Sequence, residues 1–242
     1  MDGTEYRLEL DDGAVRFRLE DETGKIDLNR SPASMLAALF EAAGLDTEAA
    51  VGLADAVADY RDRDQDRRPH GAEAAEYRAA GLGRGPRNDR FSTIEEIRDV
   101  LGVSSELYRL VKPAITVYGW GRRVNRARSP ELVLRALLAD EAAAAVLDAR
   151  QGTVRTLDTD DGDGAQAGDD DEPDVRTRRQ TARGAITIVA VAHSKRGGVF
   201  VREAIVRLGN RREQGAIGMP FQVLAWREGL AEEAVGDASS RD

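Results

Sequence analysis

Apolar and polar residues alternate over 5–10 (EYRLEL) and again over 14–19 (AVRFRL), with Asp11, Asp12 and Gly13 between the two runs. Two period-2 runs joined by an acidic turn that ends in glycine predict a β-hairpin. Tyr6, Leu8 and Leu10 then share one face with Val15, Phe17 and Leu19. That face needs a cover, and no helix long enough to supply one precedes it in the sequence.

After Thr23-Gly24 the period changes. A short strand-like stretch, KIDLN at 25–29, leads to Ser31-Pro32 and an apolar helical run over 33–43. Ser31 as N-cap, Pro32 at the first helical position and Gly44 as stop delimit that helix. A second helix is expected over 47–60, with Val51, Ala54 and Ala58 at helical spacing. Residues 73–80 have helical character, and 81–90 (GLGRGPRNDR) are irregular. Ser92 with Glu95 forms a capping box for a helix carrying Ile94, Ile97, Val100 and Leu101, ended by Gly102. Ser104 or Ser105 caps the next helix, which Pro113 stops, and residues 115–118 (ITVY) read as a short strand. The turn into the first helix then recurs: VNRARSP at 124–130 precedes LVLRALL as LNRSP at 28–32 precedes MLAALF. Ala-rich 140–148 predicts one more helix, and three β-rich runs close the pattern at 184–192, 199–207 and 221–226. Two strands, a helical insert and three further strands that rejoin the first two give an α+β protein. The expected parts are a sheet domain of residues 1–24 and 184–242, a helical insert of 25–150 and an acidic loop of 151–183.

Composition narrows the classes. The chain has 242 residues, no cysteine and two histidines, so disulfides and thiolate metal sites are excluded and a zinc site is hard to assemble. No apolar run approaches the roughly 20 residues needed to span a bilayer, so the chain as written is expected to be soluble. The net charge of −9 is local: residues 158–174 hold eight Asp and one Glu with no Lys or Arg, which leaves the remainder formally neutral. A neutral folded part offers little general attraction for a nucleic-acid backbone.

Candidate chemistry centres on residues 59–73, DYRDRDQDRRPHGAE. Asp62, Asp64 and Asp66 stand two apart and Glu73 follows eleven residues after Asp62, which is the acid spacing of a calcium loop at positions 1, 3, 5 and 12. Arg67 stands where such a loop has glycine and Pro69 removes a donor at the eighth position, so ligand spacing without an EF-hand fold is expected. Hard oxygen donors favour calcium over a transition metal. The competing reading is a solvated turn in which Arg61, Arg63, Arg67 and Arg68 neutralise the acids. The DTDDGDG run at 158–164 is a weaker calcium candidate, read as a flexible acidic loop lacking a closing acid.

Residues 97–111 (IRDVLGVSSELYRLV) have the outline of a helix-hairpin-helix, a motif that presents backbone N–H groups to a phosphate. Ser104 replaces the second glycine of that motif, and Asp99 and Glu106 oppose a phosphate while Arg98 and Arg109 favour it. His193, Ser194 and Lys195 are adjacent, but no acid–base constellation completes them, so no enzyme is expected. Trp120 and Tyr77 are aromatic residues that suit either a partner contact or a core.

The order of KIDLNRSP, DAVADYRDRDQDRRPHGAE, RFSTIEEIRDVLGVSSELYRLVKPAITVYG and RVNRARSPELVLRALL resembles the K-type minor pseudopilins of the type II secretion pathway. The resemblance covers about residues 23–138. It implies a non-enzymatic protein whose pilin-like antiparallel sheet is interrupted by a large helical domain. It further implies a place at the tip of a periplasmic pseudopilus, with I-type and J-type minor pseudopilins as partners and no nucleic acid. Inner-membrane anchoring through an N-terminal hydrophobic helix absent from this sequence is also implied, so an excised part or a misplaced start is expected. Such a helix would cover the apolar face of the hairpin. Calcium binding in the helical domain belongs to the same pattern, which Asp62, Asp64, Asp66 and Glu73 match in its acidic part.

Overall fold

A computed structural model describes residues 5–119, 123–150, 155–157, 184–208 and 221–229. They divide into two compact units, one formed by the chain up to Glu22 and from Arg150 onward, the other by Thr23–Ala149.

The sheet unit holds β1 (Glu5–Leu10), β2 (Gly13–Asp21), β5 (Arg155–Leu157), β6 (Ala185–Ser194), β7 (Val199–Leu208) and β8 (Phe221–Gly229), in the spatial order β5-β1-β2-β6-β7-β8. All neighbours are antiparallel except β5 with β1. The hairpin forms as its pattern dictates. Tyr6 lies opposite Phe17 and Leu8 opposite Val15, and the Tyr6 and Phe17 rings stack at 5.2 Å. Gly13 is required where β2 meets β6, because a Cβ there would fall 2.0 Å from the His193 carbonyl oxygen.

Register carries one apolar face across the whole sheet. Leu19, Ile188, Ala204 and Trp226 align across β2, β6, β7 and β8, and Ile186 and Val206 continue the stripe. An irregularity between β7 and β8 pairs Ile205 with Ala225 but Val206 with Val223, leaving Leu224 as the extra residue. This bulge holds Phe221 and Val223 on the face that carries Trp226. The stripe is buried at Ile186, Ala204 and Val206, whereas Trp226 is 63% and Phe221 45% exposed.

The helical unit contains β3 (Ile26–Asp27), α1 (Ala33–Ala42), α2 (Thr47–Arg61), α3 (Ala74–Ala79), a 3-10 segment (Ile94–Asp99), α4 (Ser105–Val111), β4 (Ile115–Thr116), α5 (Glu131–Leu137) and α6 (Asp140–Asp148). Leu36, Leu39 and Phe40 of α1 pack with Leu53, Val57 and Tyr60 of α2, and Tyr77, Phe91, Ile97, Val111 and Ile115 complete the core. Gly44, at φ +103°, ends α1 with a left-handed residue whose N–H donates to the Glu41 carbonyl.

Several local expectations change. Val51 faces out, and the buried stripe of α2 runs through Ala50, Leu53, Ala54, Val57 and Ala58. Pro32 and Pro130, not Ser31 and Ser129, are the last extended residues before α1 and α5, so each helix begins one position later than the Ser-Pro pattern suggests. Asp46 and Ser104 make side-chain caps, accepting from the N–H groups of Ala49 at 2.8 Å and Leu107 at 3.0 Å. The helix expected after Ser92 is only six residues of 3-10 geometry, and Glu96 instead of Glu95 reaches the Ser92 N–H. The strand expected over 115–118 pairs over two residues, with β4 parallel to β3.

The turn after β3 is fixed by side chains. Asn29 Oδ1 accepts from the Phe91 N–H at 2.8 Å while its Nδ2 donates to the Phe91 carbonyl at 2.9 Å. Phe91 stacks on Tyr60 at 4.9 Å, so this amide ties the entry of α1 to the end of α2. Asn29→Ala is expected to cost about 1–3 kcal/mol, because a buried peptide group loses both partners. Urea unfolding of the two proteins measures it.

Candidate metal centre

The acidic loop begins where α2 stops. Asp62 is the C-cap of α2, and Asp59 lies one turn earlier on the same face. Asp59 is fully buried, Asp62 half-buried, and Glu73, the N-cap of α3, is 6% exposed. The two helix ends thus bring three carboxylates into one region. Asp64 and Asp66 are exposed on the outer part of the loop, where Asp64 Oδ1 accepts the Asp66 N–H at 3.0 Å.

Asp62 Oδ1 is buried without a hydrogen-bond partner, and the buried oxygens of Glu73 have none at normal geometry beyond the approach of the Glu76 N–H in the capping box of α3. Orphaned carboxylate oxygens of this kind are costly unless a proton or a cation meets them. Burial first, and then the negative charges of Asp59, Asp62, Asp64 and Glu76, push the Glu73 carboxyl up to about 7. Burial also raises Asp59 and Asp62, with Asp62 adding to the rise of Asp59 and Asp64 to that of Asp62.

Basic side chains answer part of this charge. Arg68 Nε lies 3.3 Å from Asp59 Oδ1 and its Nη2 3.7 Å from Asp62 Oδ2, and its backbone N–H donates to Asp59 Oδ2 at 3.2 Å. Arg67 approaches Glu76 at 3.4 Å, and the Glu76 carboxylate accepts the Glu73 N–H at 2.9 Å. Arg63 points to Asp89. Arg61 turns the other way, donating to the carbonyls of Leu28 and, at 2.6 Å, Ser31. The turn over Asp59 is tight: a Cβ on Gly71 would lie 2.0 Å from Asp59 Oδ2.

The donors are hard oxygens, buried, and short of partners, which suits a cation such as calcium. Among the described residues, however, no three Asp, Glu or His side chains are gathered in a metal-holding arrangement. Asp62 and Glu73 are the residues that would hold an ion, with Asp59 beside them; the exposed Asp64 is felt by Glu73 only as a charge, and Asp66 is exposed on the same loop. Asp59 is an addition to the sequence reading, whereas Arg68 is the one of the four arginines expected to neutralise the acids that meets Asp59 and Asp62. The spacing of Asp59 from Asp62, three residues on a helix, is the signal that finds the former.

The raised Glu73 carboxyl has a consequence without any metal. Its folded value exceeds its unfolded value, so its contribution to stability is complete below about pH 4.5 and is lost as pH rises through about 7. In chelator, Glu73→Gln is therefore expected to unfold at a higher temperature than the unmutated chain at pH 8. The gap should close as pH falls towards 4.5, and thermal scans across that range test it.

The other candidates fare differently. Tyr77 is fully buried and belongs to the core. Trp120 and the acidic tract of 158–174 lie outside the described residues. His193 sits in β6 with its Nε2 3.3 Å from Arg16 Nη2. The helix-hairpin-helix reading fails in its first helix, which is the short 3-10 segment. Its basic residue Arg98 lies over the Tyr108 ring at 5.5 Å, and Asp99 pairs with Arg84.

A mostly antiparallel sheet interrupted between its second strand and its later strands by a helical unit is an α+β architecture with an inserted domain. The family model for type II secretion system protein K, first domain, matches residues 17–119. Protein K of Pectobacterium carotovorum subsp. carotovorum is 29% identical over 121 residues, covering 48% of this chain and 37% of that protein. A protein K of Escherichia coli (strain K12) is 28% identical over 125 residues, covering 46% and 38%. The match thus spans well under half the length of these relatives. A chain in the crystal structure of the GspK-GspI-GspJ complex from the enterotoxigenic Escherichia coli type 2 secretion system shares the fold. Its TM-score is 0.59 at 17% identity, over 93% of this chain and 83% of that one. Residues 17–119 are thus similar to the first domain of type II secretion system protein K, and the chain shares its fold with a chain of the GspK-GspI-GspJ complex. The nucleic-acid reading finds no support in these matches.

Proposed function

We propose that this chain acts by assembly at the tip of a type II secretion pseudopilus, together with I-type and J-type minor pseudopilins. In that position it supports export of folded proteins across the outer membrane from the periplasmic side of the inner membrane. The observation that carries this reading is the family match over residues 17–119 on a fold shared with the GspK-GspI-GspJ complex. The match to protein K also speaks for a structural component in place of an enzyme.

The sheet suits such a role. Its apolar face, with Trp226, Phe221, Val223 and Phe200 exposed along β7 and β8, is a docking surface for a hydrophobic helix of the pseudopilin type. No helix among the described residues is long and apolar enough to cross a membrane, so anchoring to the inner membrane would rest on such a helix. Calcium has a structural role in this reading. Held by Asp62 and Glu73, with Asp64 and Asp66 on the same loop, it would fasten the end of α2 to the start of α3 and stiffen the helical unit. It would supply positive charge to the Asp62 and Glu73 oxygens that have no hydrogen-bond partner at normal geometry, and the chain supplies the position.

Co-expression with the I-type and J-type pseudopilins of the same genome tests the assembly. A stable three-component complex by light scattering is expected. Separate elution of this chain from a preformed I–J pair overturns the reading.

A further inference from the structure

We infer that Arg68 is a built-in counter-ion that a divalent cation must displace from Asp59 and Asp62, so that this residue sets how much calcium the loop needs. The inference rests on the calcium reading above and concerns its tuning. Arg68 spans two of the three clustered carboxylates, Nε at 3.3 Å from the buried Asp59 and Nη2 at 3.7 Å from the half-buried Asp62. It does not reach the third, and both oxygens of Glu73 and Oδ1 of Asp62 remain without partners at normal geometry. One guanidinium thus meets a cluster that has more negative charge than it can balance, and the unmet oxygens lie on Asp62 and Glu73.

A divalent ion drawn to those oxygens would sit beside the guanidinium. Two like charges a few ångströms apart repel strongly in a partly buried site, so the ion and the Arg68 side chain compete. Arg68 is able to leave, because its side chain is 45% exposed. Its backbone is not free to follow. The Arg68 N–H donates to Asp59 Oδ2 at 3.2 Å, and its carbonyl accepts the Gly71 N–H at 3.1 Å. The turn therefore stays closed over Asp59 while the side chain swings out. Arg61 offers no comparable exchange, since its guanidinium is fixed on the carbonyls of Leu28 and Ser31.

Counter-ion exchange has two effects of opposite sign. In chelator Arg68 holds the acids together, and in calcium it weakens binding. Calcium titration by calorimetry on the full chain reads both, with Arg68→Gln set against Arg63→Gln. The latter removes the same charge from the same loop, at a side chain 86% exposed and directed at Asp89. Arg68→Gln is expected to tighten the calcium Kd about tenfold, equivalent to ~1.4 kcal/mol, and to lower the thermal midpoint in chelator. Arg63→Gln is expected to shift the Kd less than about twofold, as surface charges are screened. Equal tightening by both variants, or none by Arg68→Gln while the unmutated chain binds, overturns the exchange and leaves the calcium reading standing. Absence of calcium heat in every protein overturns both. The unmutated chain gives a reading that does not depend on a variant folding. The Arg68 Nε–H resonance should move to its solvent-exposed position as calcium is added, and a resonance that calcium leaves in place overturns the exchange.

Discussion

Tyr77→Ala is expected to destabilise the helical unit by about 3–5 kcal/mol, the usual cost of truncating a buried aromatic ring. Tyr77 is the largest fully buried side chain among the described residues, yet α3, which carries it, is only six residues long. A helix of that length has little stability of its own, so the ring is what docks it. The hydroxyl adds a second contact by accepting the Leu101 N–H at 3.0 Å, which ties α3 to the end of the 3-10 segment. Burial pushes this phenol up to about 12, so it remains un-ionised at any ordinary pH. Tyr77→Phe keeps the ring and loses that contact, and about 1–3 kcal/mol is expected for the unsatisfied N–H. Urea unfolding followed by circular dichroism gives both values. A cost below about 1 kcal/mol for Tyr77→Ala would show that α3 is not part of the core.

Calcium is expected to raise the thermal midpoint of the helical unit, and Asp62→Ala combined with Asp64→Ala to abolish the rise. An ion that binds only the folded state stabilises it by about 2.7 kcal/mol when present at a hundred times its Kd. The double variant removes the half-buried Asp62 carboxylate, one oxygen of which has no partner, and with Asp64 takes away two of the charges raising Glu73. In chelator the same variant has less buried negative charge to accommodate, so it is not expected to be severely destabilised. Equal midpoints in chelator and in millimolar calcium would remove calcium from the account.

The period of apolar residues made the sheet legible. The hairpin, its face and the return of β6, β7 and β8 all follow from alternation over stretches long enough to define a period. Register across the later strands was not legible, because the bulge at Leu224 decides which side Phe221 and Val223 take, and only pairing reveals it. In the helical unit the reading failed where elements are short. Six residues after Thr93 satisfy a helical pattern and a 3-10 pattern alike, and packing of Ile97 settles the choice. Val51 illustrates the same ambiguity on α2, where alanines on several faces leave the apolar stripe poorly marked.

At the candidate site, residue spacing pointed to Asp62 and Glu73, which the end of α2 and the start of α3 bring into one region. It also included Asp66, whose place on the exposed part of the loop depends on how the chain turns between those helices. It passed over Asp59 because that residue belongs to a helix, outside the loop template. The role of Arg68 was beyond spacing altogether. Four arginines in the loop look alike in sequence, and only their directions separate one that meets the buried acids from one on Asp89, one near Glu76 and one on backbone carbonyls.

Secretion itself tests the central claim most directly. Deleting the gene for this chain from its own genome should leave proteins of the type II pathway in the periplasm, and restoring the intact gene should return them to the medium. Unchanged export of those proteins by the deletion strain would contradict the account.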